Sequence, residues 1–186
     1  MNDASTVKIV GISGSLRRAS FNSAALRAAQ ELVPSGMTID IFDISAIQLY
    51  NEDVKAQGFP PVVADLRARI KAADGVLLAT PEYNYATSGA MKNVIDWVSR
   101  PPEQPFDGKP VALIGASAGA LGTARAQYNV RQMFIFLNAH IMNRPEVFIG
   151  GAASKFDVEG KLTDQATRDF LAAMLAAFKT WIGKVG

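Results

Sequence analysis

The sequence contains no cysteine and a single histidine, His140, among its 186 residues. Without cysteine, the chain has no disulfide, no thiolate metal ligand and no thiol nucleophile, which is typical of proteins from a reducing compartment. We therefore expect a cytoplasmic protein. One histidine leaves little for a zinc site, and Glu82, Asp96 and Asp107 lack the spacing of a calcium loop, so we expect no metal.

Long hydrophobic runs and strong charge are also missing. No apolar run reaches the roughly 18 residues needed to span a bilayer. Residues 1–8 lack the basic region and apolar core of a signal peptide, so we expect none. The net charge is only +2, and Lys and Arg form no long run, so neither a nucleic acid nor a membrane is an expected partner. Hydrophobic residues make up 49% of the chain and charged residues 19%, which indicates a globular protein.

Short apolar segments alternate with segments of helical periodicity. The pattern predicts five strands, at residues 7–12, 38–42, 76–80, 111–115 and 146–149. It predicts helices at residues 22–33, 61–73, 89–100, from after 122 to about 138, and from Thr163 or Asp164 to 182. Residues 43–61, 81–88 and 150–162 are predicted to be irregular or loops. This alternation indicates an α/β fold with a parallel sheet and right-handed crossovers.

Three loops leave the carboxyl ends of the predicted strands, at residues 12–22, 80–89 and 115–122. In open parallel sheets, ligands bind outside these ends, where the strand order reverses. The three loops are therefore the predicted site.

The first loop, Gly11 to Asn22, is rich in hydroxyl groups and basic side chains, and a helix begins where it ends. Free backbone N–H groups and the helix dipole favour an anion there. Arg17 offers a charge-assisted pair of hydrogen bonds, and further donors are Ser13, Ser15, Ser20 and Asn22. The loop lacks the Gly-x-Gly-x-x-Gly and Gly-Lys-Ser/Thr patterns, which argues against dinucleotides and nucleotide triphosphates. A glycine turn with a serine cap remains an alternative.

The second loop, Thr80 to Tyr85, combines a proline with two tyrosines and follows the most apolar strand. Its backbone N–H groups could bond the acceptor atoms of a planar ring. An ordinary turn with surface tyrosines is the alternative.

Together the two loops resemble the NADPH-dependent FMN reductase family, which includes bacterial quinone, chromate and azo-dye reductases. The resemblance covers nearly the whole chain. It is carried by Gly14-Ser15-Leu16-Arg17, Ser20-Phe21-Asn22, Pro81-Glu82-Tyr83-Asn84, Gly89, Lys92-Asn93 and Ile95-Asp96-Trp97. It implies a flavodoxin-like three-layer sandwich in which a five-stranded parallel sheet has the order 2-1-3-4-5. Residues 1–186 would form one FMN-binding domain.

The resemblance also implies the contacts of FMN. The phosphate would be held by Ser15, Arg17, Ser20 and Asn22, the isoalloxazine would lie along residues 81–84, and Ser117 and Gly119 would close the third side. The full expected set is Ser13, Ser15, Arg17, Ser20, Phe21, Asn22, Pro81, Glu82, Tyr83, Asn84, Ser117 and Gly119. Family members often have Ser and Pro where this chain has Ala86 and Ser88. We expect these departures to remove a possible contact, to free the loop before Gly89, and to alter affinity or substrate range.

The implied activity is a ping-pong oxidoreduction with no catalytic residue of the chain, because the flavin carries the chemistry. NADPH or NADH would give hydride to flavin N5, and quinones, azo dyes, metal oxyanions such as chromate, or free flavin would then be reduced. Arg18, Tyr85 and Lys92 are expected substrate or NADPH contacts. A homodimer or homotetramer is implied. Its contacts are expected on the fourth predicted helix and the last strand, at Arg125, Gln127, Tyr128, Arg131 and Glu146, although a solvated helix face is an equal alternative.

Two other functions fit parts of the sequence. A flavodoxin-type electron carrier binds FMN without its own substrate, but such carriers tend to be acidic and this chain is mildly basic. A serine esterase is suggested by Gly115-Ala116-Ser117-Ala118-Gly119, which matches the nucleophile elbow between a strand and a helix. However, no acidic residue lies between Ser117 and His140, as the usual order of a triad requires.

Overall fold

The most apolar predicted strand lies at the centre of a parallel sheet in the computed structural model, which describes residues 6–186. The strands are β1 (Val7–Ser13), β2 (Met37–Phe42), β3 (Gly75–Ala79), β4 (Glu82–Tyr83), β5 (Ala86–Thr87), β6 (Pro110–Ala116), β7 (His140–Ile141) and β8 (Val147–Ile149). The helices are α1 (Phe21–Glu31), α2 (Glu52–Lys55), α3 (Pro61–Ala72), α4 (Gly89–Val98), α5 (Ala124–Phe136) and α6 (Gln165–Val185).

The strand order is β2-β1-β3-β6, with β7 and β8 both paired to the outer side of β6, and all of these pairs are parallel. This confirms the predicted order 2-1-3-4-5, which is the flavodoxin-like order. The fifth strand is interrupted, however. β7 pairs with the start of β6 and β8 with its end, so the chain leaves the sheet between Ile141 and Val147.

Helices cover both faces of the sheet, which explains why β3 is buried along its whole length. Neighbouring residues of β1 point to opposite faces, as expected for a strand. Ile9 packs with Leu26 of α1 and Phe178 of α6, whereas Val10 belongs to the cluster of Ile70 and Val94 on the other side. The two apolar clusters confirm the predicted three layers.

The predicted loops contain more structure than the sequence indicated. Residues 43–61 include the short helix α2, and residues 81–88 form the antiparallel hairpin β4–β5. Residues 150–162 contain a 3-10 turn at Ala152–Ser154 and a bridge between Phe156 and Leu162. The last helix begins as predicted, because Asp164 caps it by accepting a hydrogen bond from the Thr167 N–H.

The expectation about a signal peptide concerns residues 1–8, of which 1–5 lie outside the described residues. Within the described part of the chain, no helix combines the length and the apolar character that a membrane crossing requires.

Candidate functional site

The three predicted loops meet beyond the carboxyl ends of β1, β3 and β6. One cleft between them is lined by Ser15, Arg17, Ser20, Phe21, Asn22, Pro81, Glu82, Tyr83, Ala116, Ser117 and Ala118. A second cleft shares Glu82 and Ser117 with the first and continues past Asn84, Tyr85, Gly119, Ala120, Leu121, Gly122 and Arg125. Every expected FMN contact except Ser13 therefore lines one of two adjoining clefts.

The start of α1 presents an anion-binding donor set to the first cleft. Ser20 caps the helix, and its Oγ accepts hydrogen bonds from the N–H groups of Asn22 (3.2 Å) and Ser23 (3.3 Å), so its hydroxyl proton remains to be donated. The N–H groups of residues 19–21 have no acceptor among residues 6–186. The first turn carries no acidic side chain, and Arg17 is exposed at the cleft. These donors fit the phosphate of FMN.

Asn22 lines the cleft, but its side chain has a structural partner. Its Nδ2 donates to the Ala116 carbonyl (3.0 Å), and its Oδ1 accepts from the Ala116 N–H (2.9 Å). The pair joins the start of α1 to the end of β6, so this amide positions the first loop against the third. Its oxygen and one of its N–H groups are therefore engaged away from a phosphate.

Ser13 lies beneath the loop, outside both clefts. Its Oγ is 2.8 Å from the Ser23 Oγ and accepts a hydrogen bond from the Ser15 N–H (3.3 Å). The geometry gives Ser13 a role in shaping the loop, and its direct contact with FMN stays a prediction.

The hairpin β4–β5 forms the second side of the site. Glu82 pairs with Thr87 and Tyr83 with Ala86, while Asn84 (φ 52°) and Tyr85 (φ 67°) form the tight turn between them. A left-handed backbone is costly for tyrosine. The Arg125 guanidinium lies 3.7 Å from the centre of the Tyr85 ring and holds this residue in place.

Glu82 fastens the hairpin to α5. Its side chain is only 7% exposed, and its Oε2 accepts hydrogen bonds from the N–H groups of Arg125 (3.1 Å) and Ala126 (3.3 Å). Oε1 pairs with the Arg125 guanidinium. Thr123 makes no side-chain cap bond, so Glu82 caps α5 from a distant part of the chain. Sequence reasoning missed this role because the partners are 43 and 44 residues away.

The third side follows β6. The Ser117 Oγ accepts a hydrogen bond from the Gly119 N–H (3.1 Å), and the Ser117 carbonyl accepts one from the Ala152 N–H (3.0 Å). Gly115 is required for packing, because an added Cβ would lie 1.8 Å from the Thr123 Oγ1. The small residues of this segment thus let neighbouring chain approach closely.

The esterase reading fails on distance. His140 pairs with Pro110, the first residue of β6, whereas Ser117 follows Ala116, the last. Six residues of strand separate the two ends, a distance of about 20 Å. The exposed His140 therefore cannot reach Ser117 as a base.

Of the three expected substrate contacts, one lines a cleft and two do not. Tyr85 lines the second cleft and is 73% exposed. Arg18 is exposed but lies outside both clefts, as does Lys92, whose Nζ pairs with Asp96 at 2.6 Å on α4.

The expected oligomer contacts differ in whether their side chains are exposed. Tyr128 is exposed and donates a hydrogen bond to Glu146 (3.3 Å), which raises the pKa of the tyrosine. Arg125 is committed to Glu82 and Tyr85, and Arg131 lies 3.8 Å from Glu146. Gln127 was expected on this face but is completely buried, because its Nε2 donates to the Val147 carbonyl inside the protein.

The two departures from the family pattern are both accommodated. Ala86 is part of β5, where it pairs with Tyr83. Ser88 caps α4 and is 1% exposed, with its Oγ donating to the Gly14 carbonyl (2.6 Å) and accepting from the Met91 N–H (3.1 Å). These two hydrogen bonds restrain the chain before Gly89, and the freer loop stays a prediction. Residues 6–186 contain no group of three or more His, Asp or Glu placed to hold a metal ion.

A flavodoxin-like sheet with an anion-binding first loop and an open cleft beside it defines a class of FMN-binding α/β proteins. Comparison with known proteins gives the family. The model of the NADPH-dependent FMN reductase family matches residues 7–154. The chain belongs to this family, and it is an oxidoreductase that uses FMN as cofactor and NAD(P)H as hydride donor.

Three relatives illustrate the similarity. An NAD(P)H-dependent FMN reductase of Pseudomonas aeruginosa is 56% identical over 179 residues, which cover 96% of this chain and 97% of the relative. A quinone reductase of Escherichia coli is 43% identical over 182 residues, with 96% and 97% covered. The solved structure of FerB, a flavoenzyme NAD(P)H:(acceptor) oxidoreductase from Paracoccus denitrificans, superposes with a TM-score of 0.88 at 35% identity, covering 97% of this chain and 99% of FerB.

Proposed function

We propose that this chain, acting as a single domain over residues 1–186, is an FMN-dependent NAD(P)H:quinone oxidoreductase. The observation that carries the proposal is the cleft in which all three predicted loops meet. The start of α1, whose first turn has no acidic side chain, lies at one end of this cleft, and the β4–β5 hairpin lies along its side. The relatives named quinone reductase support a quinone as the acceptor.

Bound FMN supplies the hydride-accepting and hydride-donating chemistry, and the protein supplies binding and orientation. Arg17, the Ser20 hydroxyl and the N–H groups at the start of α1 would hold the phosphate. Residues 81–84 would line the ring, and Glu82 keeps these residues in place through α5. The second cleft, open to solvent beside Tyr85, would admit the planar nicotinamide or quinone.

The open second cleft also supports a wider range of acceptors. Its lining consists mostly of polar groups, backbone and small side chains, and Tyr85 and Leu121 are exposed along it. The cleft is open and has no enclosed pocket shaped for one molecule. We propose that azo dyes, metal oxyanions such as chromate, and free flavin are reduced as well. Comparative kinetics with each acceptor, using NADH and NADPH in parallel, measures this range.

We also propose a homodimer or homotetramer. The exposed side of α5 carries Tyr128 and, about two turns further, Ile135 and Phe136, which are 80% and 88% exposed. Apolar side chains this exposed on one helix favour contact with a second copy. Light scattering over a range of protein concentrations tests the assembly.

The test of function separates the enzyme from an electron carrier. FMN-loaded protein is mixed anaerobically with NADPH, and the flavin absorbance is followed before and after a quinone is added. We expect NADPH alone to bleach the flavin and the quinone to restore the colour. Bleaching that requires an added reductase would instead establish a carrier, and failure to load FMN would overturn the proposal.

A further inference from the structure

Ser88 connects two sides of the site through one buried hydroxyl. Its Oγ donates to the Gly14 carbonyl (2.6 Å) in the first loop and accepts from the Met91 N–H (3.1 Å) at the start of α4. Ser88 itself lines neither cleft. Any effect of this side chain on the cofactor must therefore pass through Gly14 or α4.

The bond fixes the direction of one peptide group in the first loop. The carbonyl of the Gly14–Ser15 peptide points to Ser88, and its N–H points to the Ser13 Oγ (3.3 Å). Turning this peptide over would break both hydrogen bonds and change the shape of the loop that carries Ser15 and Arg17 to the cleft. The loop would then present its donors to a phosphate in a different arrangement.

Gly14 is also held tightly on its other sides. Its N–H donates to the Ala79 carbonyl (2.9 Å). A Cβ at this position would lie 2.8 Å from the Met91 Cβ and 3.1 Å from the Pro81 Cδ. The loop therefore packs directly against α4 and against Pro81 at the start of the hairpin. The hydrogen bond from the Ser88 hydroxyl joins the loop to the start of α4.

We propose that Ser88 is a positioning residue for the phosphate of the cofactor, acting through the Gly14 carbonyl. The φ of Ser88 is −65°, an ordinary value for a helix cap, so the backbone here needs no special residue. The hydroxyl is what links this position to the phosphate loop. The proposal rests on the placement of the FMN phosphate at this loop.

The experiment compares FMN with riboflavin, which lacks the phosphate, in fluorescence titrations of the flavin-free protein. Ser88→Ala removes both hydrogen bonds and leaves the buried Gly14 carbonyl without a donor. We expect FMN to bind about tenfold more weakly, because the loop is no longer held in its phosphate-binding arrangement before FMN binds, while riboflavin binding is unchanged. Ser88→Thr retains the hydroxyl and should keep the FMN preference of the parent protein.

Asp164→Ala is the matched control, because it removes a helix cap remote from the clefts. It should lower stability without changing the ratio of FMN to riboflavin affinity. Equal weakening of both ligands in Ser88→Ala would reveal a general structural role and overturn the proposal. The proposal would also be overturned if Ser88→Ala and Ser88→Thr lost the preference for FMN equally, or if neither variant changed it.

The parent protein and Arg17→Ala separate this inference from the proposed site. If the parent protein shows no preference for FMN, the placement of the phosphate is wrong. If the parent prefers FMN and Arg17→Ala loses that preference while Ser88→Ala keeps it, the site stands and only the role of Ser88 is rejected.

Discussion

Replacing Asn22 by alanine tests whether this side chain joins two loops or binds the cofactor directly. The substitution removes two hydrogen bonds to Ala116, at 3.0 and 2.9 Å, and both partners are buried. It leaves the N–H and the carbonyl of Ala116 without partners. Each unpaired buried group costs about 1–3 kcal/mol, so we expect the free energy of unfolding to fall by about 2–6 kcal/mol.

The assay is urea unfolding of the flavin-free protein, with no cofactor present to contribute. Gln30→Ala is the matched control, because Gln30 lies on the same helix and donates one hydrogen bond to the Ile39 carbonyl (2.8 Å) from a more exposed position. We expect the control to lose about 1 kcal/mol or less. If Asn22→Ala left the stability of the flavin-free protein unchanged but weakened FMN, Asn22 would be a direct phosphate ligand and our reading of its amide would be refuted.

Two further substitutions test the hairpin anchor and a helix cap. Glu82→Gln removes the charge that pairs with Arg125 and faces the start of α5. We therefore expect the free energy of unfolding, measured in urea, to fall by about 1–2 kcal/mol. Glu146→Gln, whose partner Arg131 is 3.8 Å away, should lose less, and equal losses would contradict the role of Glu82. Asp164 accepts hydrogen bonds from Thr167, which lower its pKa below the ordinary 3.8. Its stabilising effect is therefore complete above that value and is lost as the pH falls through the lower pKa of the folded state. Asp164→Asn should flatten the acid limb of the stability profile, and an unchanged limb would contradict this assignment.

The layers of the fold and the position of the site could be predicted from local patterns. The apolar run from Val76 to Ala79 indicated a buried central strand, and the Gly and Ser residues after β1 indicated an anion-binding turn. These signals are local because they depend on periodicity and on the chemistry of one loop. The three loops were correctly placed at one edge because parallel strands share their carboxyl ends.

The contacts that hold the loops together could not be predicted, because they join distant parts of the chain. Asn22 meets Ala116 across 94 residues, and Ser88 meets Gly14 across 74. Nothing near Asn22 in the sequence distinguishes an amide that faces a phosphate from one that faces a strand. The left-handed turn at Tyr85 was missed because tyrosine rarely adopts a positive φ, and its contact with Arg125 of α5 joins positions 40 residues apart.

The most direct measurement of the central claim is the affinity of the flavin-free protein for FMN and for riboflavin, in the parent protein, Arg17→Ala and Arg18→Ala. Arg17 lines the cleft, and its exposed neighbour Arg18 does not. We predict that Arg17→Ala weakens FMN by about 1.5–3 kcal/mol, because it removes charge-assisted hydrogen bonds, and leaves riboflavin unchanged. Arg18→Ala should bind both ligands like the parent. Equal behaviour of the two variants, or a parent protein that binds FMN no better than riboflavin, would contradict the placement of the phosphate at this loop.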